Sequence, residues 1–359
     1  MEMISKILAI NPGSTSTKIA YFENLSCVSS KSLQHNTQKL SASGPVMGQY
    51  SLRRQAIADY ISNMGISPEK LSAIAGRGGL LKPLKGGTYK VNQAMLEDLK
   101  AGKYGEHASN LGAILAYDLA APANIPAYIV NPVVVDEMWP VARYSGLSSI
   151  ARKSVFHALN HKSAAIKAAA QLGKKYEAVN LVIAHMGGGI SVAAHRKGLV
   201  VDVNNGLEEG AFSPERSGSL PVLQLAELCF KRGYTFDEVK KQLVGKGGLV
   251  SYFGTADCLE AERMAVAGDK EAAGVLEAMS YQIAKEIGAY STVLSGQVDA
   301  VILTGGLARS SMITDSITEK VKFIARVLVF PGEDEMLAMA EGVQRVFDGA
   351  EAELEYIPE

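Results

Sequence analysis

Two strand–glycine turn–strand units, set about half a chain apart, constrain this sequence more than any other feature. Residues 6–10 are a short apolar run of the buried-strand type, and Asn11-Pro12-Gly13-Ser14-Thr15-Ser16 is the turn that ends it. Residues 18–22 alternate as a return strand, so the unit reads as a hairpin with a polar tip. The pattern restarts at 181–184, turns at His185-Met186-Gly187-Gly188-Gly189, and returns over 191–195. The spacing is far too long for a solenoid repeat. It predicts a duplicated α/β chain with a cleft between its halves.

The remaining segments fit that plan. Strands are expected at 71–75, which runs into Gly76-Arg77-Gly78-Gly79, and at 127–135, broken by Asn131-Pro132 with Asp136 just beyond. Further strands are expected at 199–203, 300–303 and, last, 327–330. Helices are expected at 109–121, at 155–172 closed by Gly173, near 222–231, 259–267 and 272–294, from about Ser310, and last at 336–347. A length of 359 residues suits two domains. Residues 1–150 form the first and 151–334 the second, the boundary resting on the restart because no low-complexity linker marks it. The segment from about 335 to 359 is expected to pack back on the first domain.

Composition excludes several classes. The chain is 47% hydrophobic and 20% charged, as a folded globular protein is. Its 36 basic and 37 acidic residues give a net charge of −1, which argues against a nucleic-acid partner but not against small anions. Cys27, Cys229 and Cys258 are widely spaced, so neither a zinc ribbon nor a CxxC redox unit is present, and a reducing compartment fits. The apolar region 113–135 is broken by Asp118, Pro122, Pro126 and Asn131, and 7–10 is short for a signal core. The expectation is a cytoplasmic protein with no membrane partner.

The glycine turns carry the chemistry. The first offers the hydroxyls of Ser14, Thr15 and Ser16, with Lys18 beside them, and both an ordinary hairpin tip and an anion cradle fit it. Three successive glycines at 187–189 cost conformational entropy, so a ligand or a tight packing contact must need the close approach. A third turn, Thr304-Gly305-Gly306, again follows a buried strand. Ligands of open α/β sheets lie beyond the carboxyl ends of strands, so three such turns point to one nucleotide-sized ligand. No Walker-type P-loop, dinucleotide fingerprint or His-Glu-x-x-His zinc motif occurs.

The order of an Asn-Pro-Gly-Ser-Thr-Ser-Thr-Lys hairpin, a His-Met-Gly-Gly-Gly hairpin and a Thr-Gly-Gly turn resembles the acetate and sugar kinase, heat-shock chaperone and actin superfamily. Within it the chain is similar to the acetokinase family over nearly its whole length. Asn11, where sugar kinases and actins carry aspartate, is characteristic of that family. Glu106-His107-Ala108-Ser109-Asn110 and Arg216-Ser217-Gly218-Ser219 look like the versions in its butyrate kinase branch. The resemblance implies a duplicated actin-like (ribonuclease H-like) fold with a nucleotide cleft between domains. It also implies reversible in-line transfer from ATP to butyrate, giving butyryl phosphate and ADP. Acetate, propionate or a branched acid is the alternative substrate, and a chaperone-like nucleotide-binding protein is the alternative of another class.

Site roles follow from the same resemblance. Asn11, Ser14, Ser16 and Lys18 match the first phosphate hairpin, and Gly187, Gly188 and Gly189 the second, where His185 meets the transferred phosphoryl group. Arg77 matches the arginine that pairs with the substrate carboxylate, and His107 and Asn110 a loop lining the active site. Asp136 and Glu335 match residues near Mg2+, and Gly305, Gly306 and Leu307 the adenosine turn. A homo-oligomer, dimer or larger, is implied. One departure stands out: Leu259 occupies the place expected for a second arginine, and either Arg263, one helical turn on, substitutes for it or the site runs with one arginine fewer. Gly78-Gly79, where many acetate kinases carry Val-Val, and the small Ala184 are expected to leave room for a longer acid.

Overall fold

The computed structural model describes residues 4–359. Its contacts divide the chain into a first unit, Met1–Asp136 with Asp334–Glu359, and a second, Glu137–Glu333. The sequence reading set the boundary near 150. Residues 137–150 group with the second unit because Lys162 Nζ meets Glu137 Oε1 at 2.9 Å and the Trp139 N–H donates to the Val201 carbonyl.

Among the described residues, the first unit holds a seven-stranded sheet. Its strands are β1 (Lys6–Pro12), β2 (Ser16–Glu23), β3 (Ser26–Gln34), β4 (Ala73–Gly76), β5 (Thr88–Lys90), β6 (Ala127–Val130) and β12 (Glu353–Glu355). Their order is β12-β5-β6-β4-β1-β2-β3. Its helices are α1 (Thr37–Ala42), α2 (Tyr50–Asn63), α3 (Gln93–Ala101), α4 (Asn110–Ala120) and α12 (Glu335–Phe347). Ile7, Leu8, Ala9 and Ile10 are all fully buried because β1 is covered on both faces. Leu8 and Ile10 join Leu111, Ile114 and Leu115 of α4 in one core, and α12, absent from that core, also packs on β1.

The second unit's sheet has the order β11-β10-β7-β8-β9. These strands are β7 (Asn180–Met186), β8 (Ile190–Arg196), β9 (Leu199–Val203), β10 (Ala300–Gly305) and β11 (Val327–Pro331). Its helices are α5 (Ala158–Gln171), α6 (Val222–Phe230), α7 (Phe236–Leu243), α8 (Leu249–Phe253), α9 (Cys258–Val266), α10 (Lys270–Val293) and α11 (Ser311–Val321). Strand alternation splits β7 between two cores. Val182, Ala184 and Met186 face Met279, Ile283 and Ile287 of α10, whereas Leu181 and Ile183 face the alanines of α5.

The duplication is visible in the pairing. Strand β1 is antiparallel to β2 and parallel to β4, and β7 is antiparallel to β8 and parallel to β10. This is the actin-like α/β fold. Several elements depart from the sequence expectation. The first hairpin gains a third strand, β3. The strand expected over 127–135 stops at Val130, where Asn131 takes a positive φ of 40°. The last helix ends at Phe347 as expected, but it is followed by a further strand, β12, which pairs with β5. Among the described residues no helix is long and apolar enough to cross a membrane.

Candidate active site

In the first unit, β1 delivers Asn11 and β2 delivers Lys18 directly opposite it. Residues 13–15 make the connection, with the Gly13 N–H donating to the Ser16 carbonyl at 2.8 Å. Asn11, Ser14, Ser16, Lys18, Arg77, His107 and Glu335 all line one pocket of about 260 Å³. Glu335 opens α12. Its Oε2 accepts from Asn11 Nδ2 at 2.6 Å, and its Oε1 lies 3.7 Å from Arg77 Nη2. A hard cation such as Mg2+ takes oxygen ligands. The Glu335 carboxylate and the Asn11 side-chain carbonyl are such donors, so this pocket fits one. Asp136 is not among the lining residues; its N–H donates to the Leu84 carbonyl.

His107 precedes α4. Its Nδ1 lies 2.8 Å from Ser109 Oγ and accepts from the Ser109 N–H, so the neutral ring carries its hydrogen on Nε2. Burial first, and the Arg77 charge second, hold its pKa below the usual histidine value. Asn110, placed by the sequence in the same loop, is spent on structure: its Oδ1 accepts from the Leu80 N–H and its Nδ2 donates to the Gly105 carbonyl.

The expected room at Gly78 and Gly79 is absent. A Cβ on Gly78 would stand 2.5 Å from Pro132 Cβ, and one on Gly79 2.5 Å from Asn110 Cα. These glycines let the end of β4 press against Pro132 and the start of α4. Ala184 gives no room either, because it faces the α10 core.

In the second unit, packing accounts for Gly189 and in part for Gly188, whereas a Cβ on Gly187 would meet nothing closer than 3.5 Å. None of Gly187, Gly188 and Gly189 has a positive φ. A Cβ on Gly189 would fall 2.0 Å from Arg216 Nη1, and one on Gly188 3.3 Å from Glu215 Oε2. Arg216 donates from Nη1 to the Gly206 carbonyl at 2.8 Å, and burial draws its pKa down. The arginine at this turn is therefore Arg216. Leu259 and Arg263 lie exposed on α9, so the substitution expected of Arg263 has no support in its placement.

His185, at the end of β7, is buried, and its Nδ1 meets Asn160 Oδ1 at 2.8 Å. An amide oxygen only accepts, so Nδ1 carries the hydrogen. The Asn160 N–H in turn donates to Nδ1 of His157 at 3.2 Å, the N-cap of α5, which leaves the His157 hydrogen on Nε2, 3.2 Å from Glu333 Oε2. His185 Nε2 lies 3.8 Å from the same oxygen. His157, His185 and Glu333 have the spacing of a metal site. While the cap stands, however, His157 Nε2 is a donor and not a ligand, so the trio reads as a hydrogen-bonded cluster. Deeper in, His161 and His195 are fully buried and bonded to each other, to Ser191 and to Tyr176.

At the third turn, Gly305 has a φ of 90°, and a Cβ there would meet the Met186 carbonyl at 2.4 Å. Gly306 has open space, and Leu307 is buried. The sequence reading missed His157, Asn160 and Glu333 and gave Arg216 no role. The available signal was the His-x-x-Asn-His stretch opening the alanine-rich helix.

A family model described as the acetokinase family matches residues 140–338. Among solved structures, the acetate kinase of Porphyromonas gingivalis superposes with a TM-score of 0.77 at 19% identity, covering 96% of this chain and 100% of that one. A propionate kinase from Francisella tularensis gives 0.74 at 21% identity, covering 94% and 98%. The acetate kinase of Entamoeba histolytica gives 0.75 at 16% identity, covering 95% and 99%. At these identities the likeness is one of fold.

Proposed function

This chain belongs to the acetokinase family, and from that premise we propose that it transfers a phosphoryl group reversibly between ATP and a short-chain carboxylate, butyrate in particular. The observation that carries the reading is the pocket shared by Asn11, Lys18, Arg77, His107 and Glu335. A carboxylic acid is already ionised at neutral pH, with a pKa near the glutamate value of about 4.3, so no general base is required. What the reaction needs is to align two anions and hold the charge that develops. Arg77 takes the acid's carboxylate, and neutral His107 donates from Nε2. Asn11, Ser14, Ser16, Lys18 and the Gly187, Gly188 and Gly189 turn take the phosphates, with Arg216 donating to the transferred group; His185, whose Nδ1–H is held by Asn160, donates to it from Nε2 only as the imidazolium. Gly306 and Leu307 take the adenosine. Glu335 and the Asn11 side-chain carbonyl would hold Mg2+, which when bound would supply positive charge against the phosphates.

Butyrate rests on the branch-like motifs at 106–110 and 216–219. A specific observation favours a second reading, acetate or propionate: the glycines expected to widen the site are closed by Pro132 and Asn110. Each methylene that finds an apolar contact is worth about 0.8 kcal/mol, or roughly fourfold. Release of ADP should therefore be measured with acetate, propionate, butyrate and isobutyrate side by side. A butyrate kcat/KM about tenfold above acetate supports butyrate; equality leaves the shorter acids. Release with none of them removes the kinase reading.

The three cysteines are unpaired, which supports a cytoplasmic setting. Self-association is proposed through α6 and α7, where Val222, Leu223, Phe230 and Phe236 are each at least three-quarters exposed. Helix α7 starts with Asp237 and Glu238 and ends with Lys240 and Lys241, so two copies paired antiparallel set acid against base. Light scattering of the Leu223→Glu variant tests it: an unchanged oligomer rejects this face.

A further inference from the structure

Arg53 sits on α2 with no exposed surface at all. Its guanidinium is spent on the back of the first glycine turn. Nη2 donates to the carbonyls of Gly13 at 2.7 Å and Ser14 at 3.3 Å, and Nη1 to the carbonyl of Ser16 at 2.9 Å and to Thr17 Oγ1 at 3.0 Å. Nε and Nη2 also reach Gln49 Oε1. Every acceptor is neutral, and among the described residues no carboxylate pairs with Arg53. The nearest histidine, His35, shares Thr17 Oγ1 with it; burial and the Arg53 charge lower the His35 pKa, so the charge has no titratable counterpart.

A buried, unpaired cation costs several kcal/mol unless something offsets it. Here carbonyl dipoles offset part of it, and they belong to the turn that lines the pocket. In a trans peptide the N–H points away from the C=O. Carbonyls of Gly13 and Ser14 drawn toward Arg53 therefore send the N–H groups of Ser14 and Thr15 the other way. Among the described residues neither N–H has a protein acceptor. Successive outward N–H groups form an anion-binding concavity, and a cation directly behind it deepens the positive potential.

We propose that Arg53 is the positioning residue of the phosphate turn: it fixes the direction of the Ser14 and Thr15 N–H groups and supplies buried positive charge for the anion they hold. The inference rests on the reading of this pocket as the site of the ATP phosphates.

Titration calorimetry with ATP and with adenosine tests it on the full chain. The Arg53→Met variant should raise the ATP Kd tenfold or more and leave the adenosine Kd unchanged. Arg53→Lys keeps the charge and loses the fork, so its ATP Kd should rise by threefold to tenfold. If the methionine variant does not fold, the lysine variant decides. An ATP Kd within twofold of wild type in a folded variant overturns the proposal. So does equal weakening for both ligands, which is general damage to the unit. A wild-type protein that binds ATP but forms no acyl phosphate counts against the kinase reading and leaves this measurement intact.

Discussion

Replacing Gly79 with valine asks α4 to move. The first added carbon would stand 2.5 Å from Asn110 Cα, 2.7 Å from Asn110 Oδ1 and 2.9 Å from the Asn110 nitrogen. Carbon atoms in contact prefer about 3.5–4.0 Å, so the shortfall is about 1 Å against backbone, which cannot rotate aside. Overpacking of this kind costs about 1–3 kcal/mol. The hydrogen bond from the Leu80 N–H to Asn110 Oδ1, 2.8 Å long, lies in the path of the new side chain. Its loss adds about 0.5–1.5 kcal/mol. A total of about 2–4 kcal/mol lowers the Tm by roughly 5–15 °C in a unit of this size. The same shift displaces His107, three residues before Asn110, so turnover of every acid should fall together. Thermal unfolding and kcat/KM for acetate, propionate and butyrate read both effects. A variant with wild-type Tm whose preference had moved toward acetate would refute the packing account and restore Gly79 as a wall of the acid site.

Other perturbations separate the remaining roles. Arg77→Ala should cost roughly 10–100-fold in kcat/KM for the acid, the value of a charged hydrogen bond of about 1.5–3 kcal/mol, with ATP binding nearly unchanged; near-normal turnover would remove its assignment. Arg216→Ala should lose activity by a similar factor, whereas Arg263→Ala should stay within twofold of wild type and Leu259→Arg should gain nothing. Asn160→Leu deletes the acceptor for His185 Nδ1–H but keeps the backbone cap on His157; kcat should fall about tenfold or more at constant ATP KM, and ring 15N shifts should show His185 losing its fixed tautomer. Stability should fall with acid. Burial holds the pKa values of His161 and His195 well below 6.5, so the unfolded chain takes up protons first. The stability they contribute is present above about pH 6.5 and lost as pH falls toward their folded values, by at most about 1.4 kcal/mol per pH unit each. A Tm flat from pH 7 to 5 would contradict this.

The legible parts of the fold included strands β1, β2, β4 and β7 to β11, because each is a short apolar run ended by a polar or glycine-bearing turn. Strand β3 was invisible: it is an edge strand of mostly exposed polar residues. Helix α2 was invisible because its inward face is Arg53, Ile57, Tyr60 and Ile61, and an arginine at a core position breaks the apolar period. Strands β5 and β12 hold three residues each, too few for any period to register. In the candidate site, the turns themselves pointed to Ser14, Ser16, Lys18 and His185, whereas Asn11 was named through the family resemblance. Arg216 and Asn160 reach their turns only through tertiary packing. The glycines at 78 and 79 were misread for a plain reason: a missing side chain looks like space in a sequence, and in the folded chain another backbone fills it.

The first unit is discontinuous, and that orders events during synthesis. Glu137–Glu333 forms an uninterrupted stretch that contains its whole sheet. The first unit waits for Asp334–Glu359, which brings Glu335, the helix over β1 and the strand that flanks β5. At about 5–20 residues per second, the ribosome delivers that segment roughly 10–40 s after Asp136 has emerged. Throughout that interval the nascent chain has Asn11 and Arg77 but no carboxylate at position 335 to bridge them. One face of β1 also stands uncovered, an apolar surface open to chaperones and to neighbouring chains. Translation speed through 137–333 thus sets how long the protein is exposed to mispairing before it can first become competent.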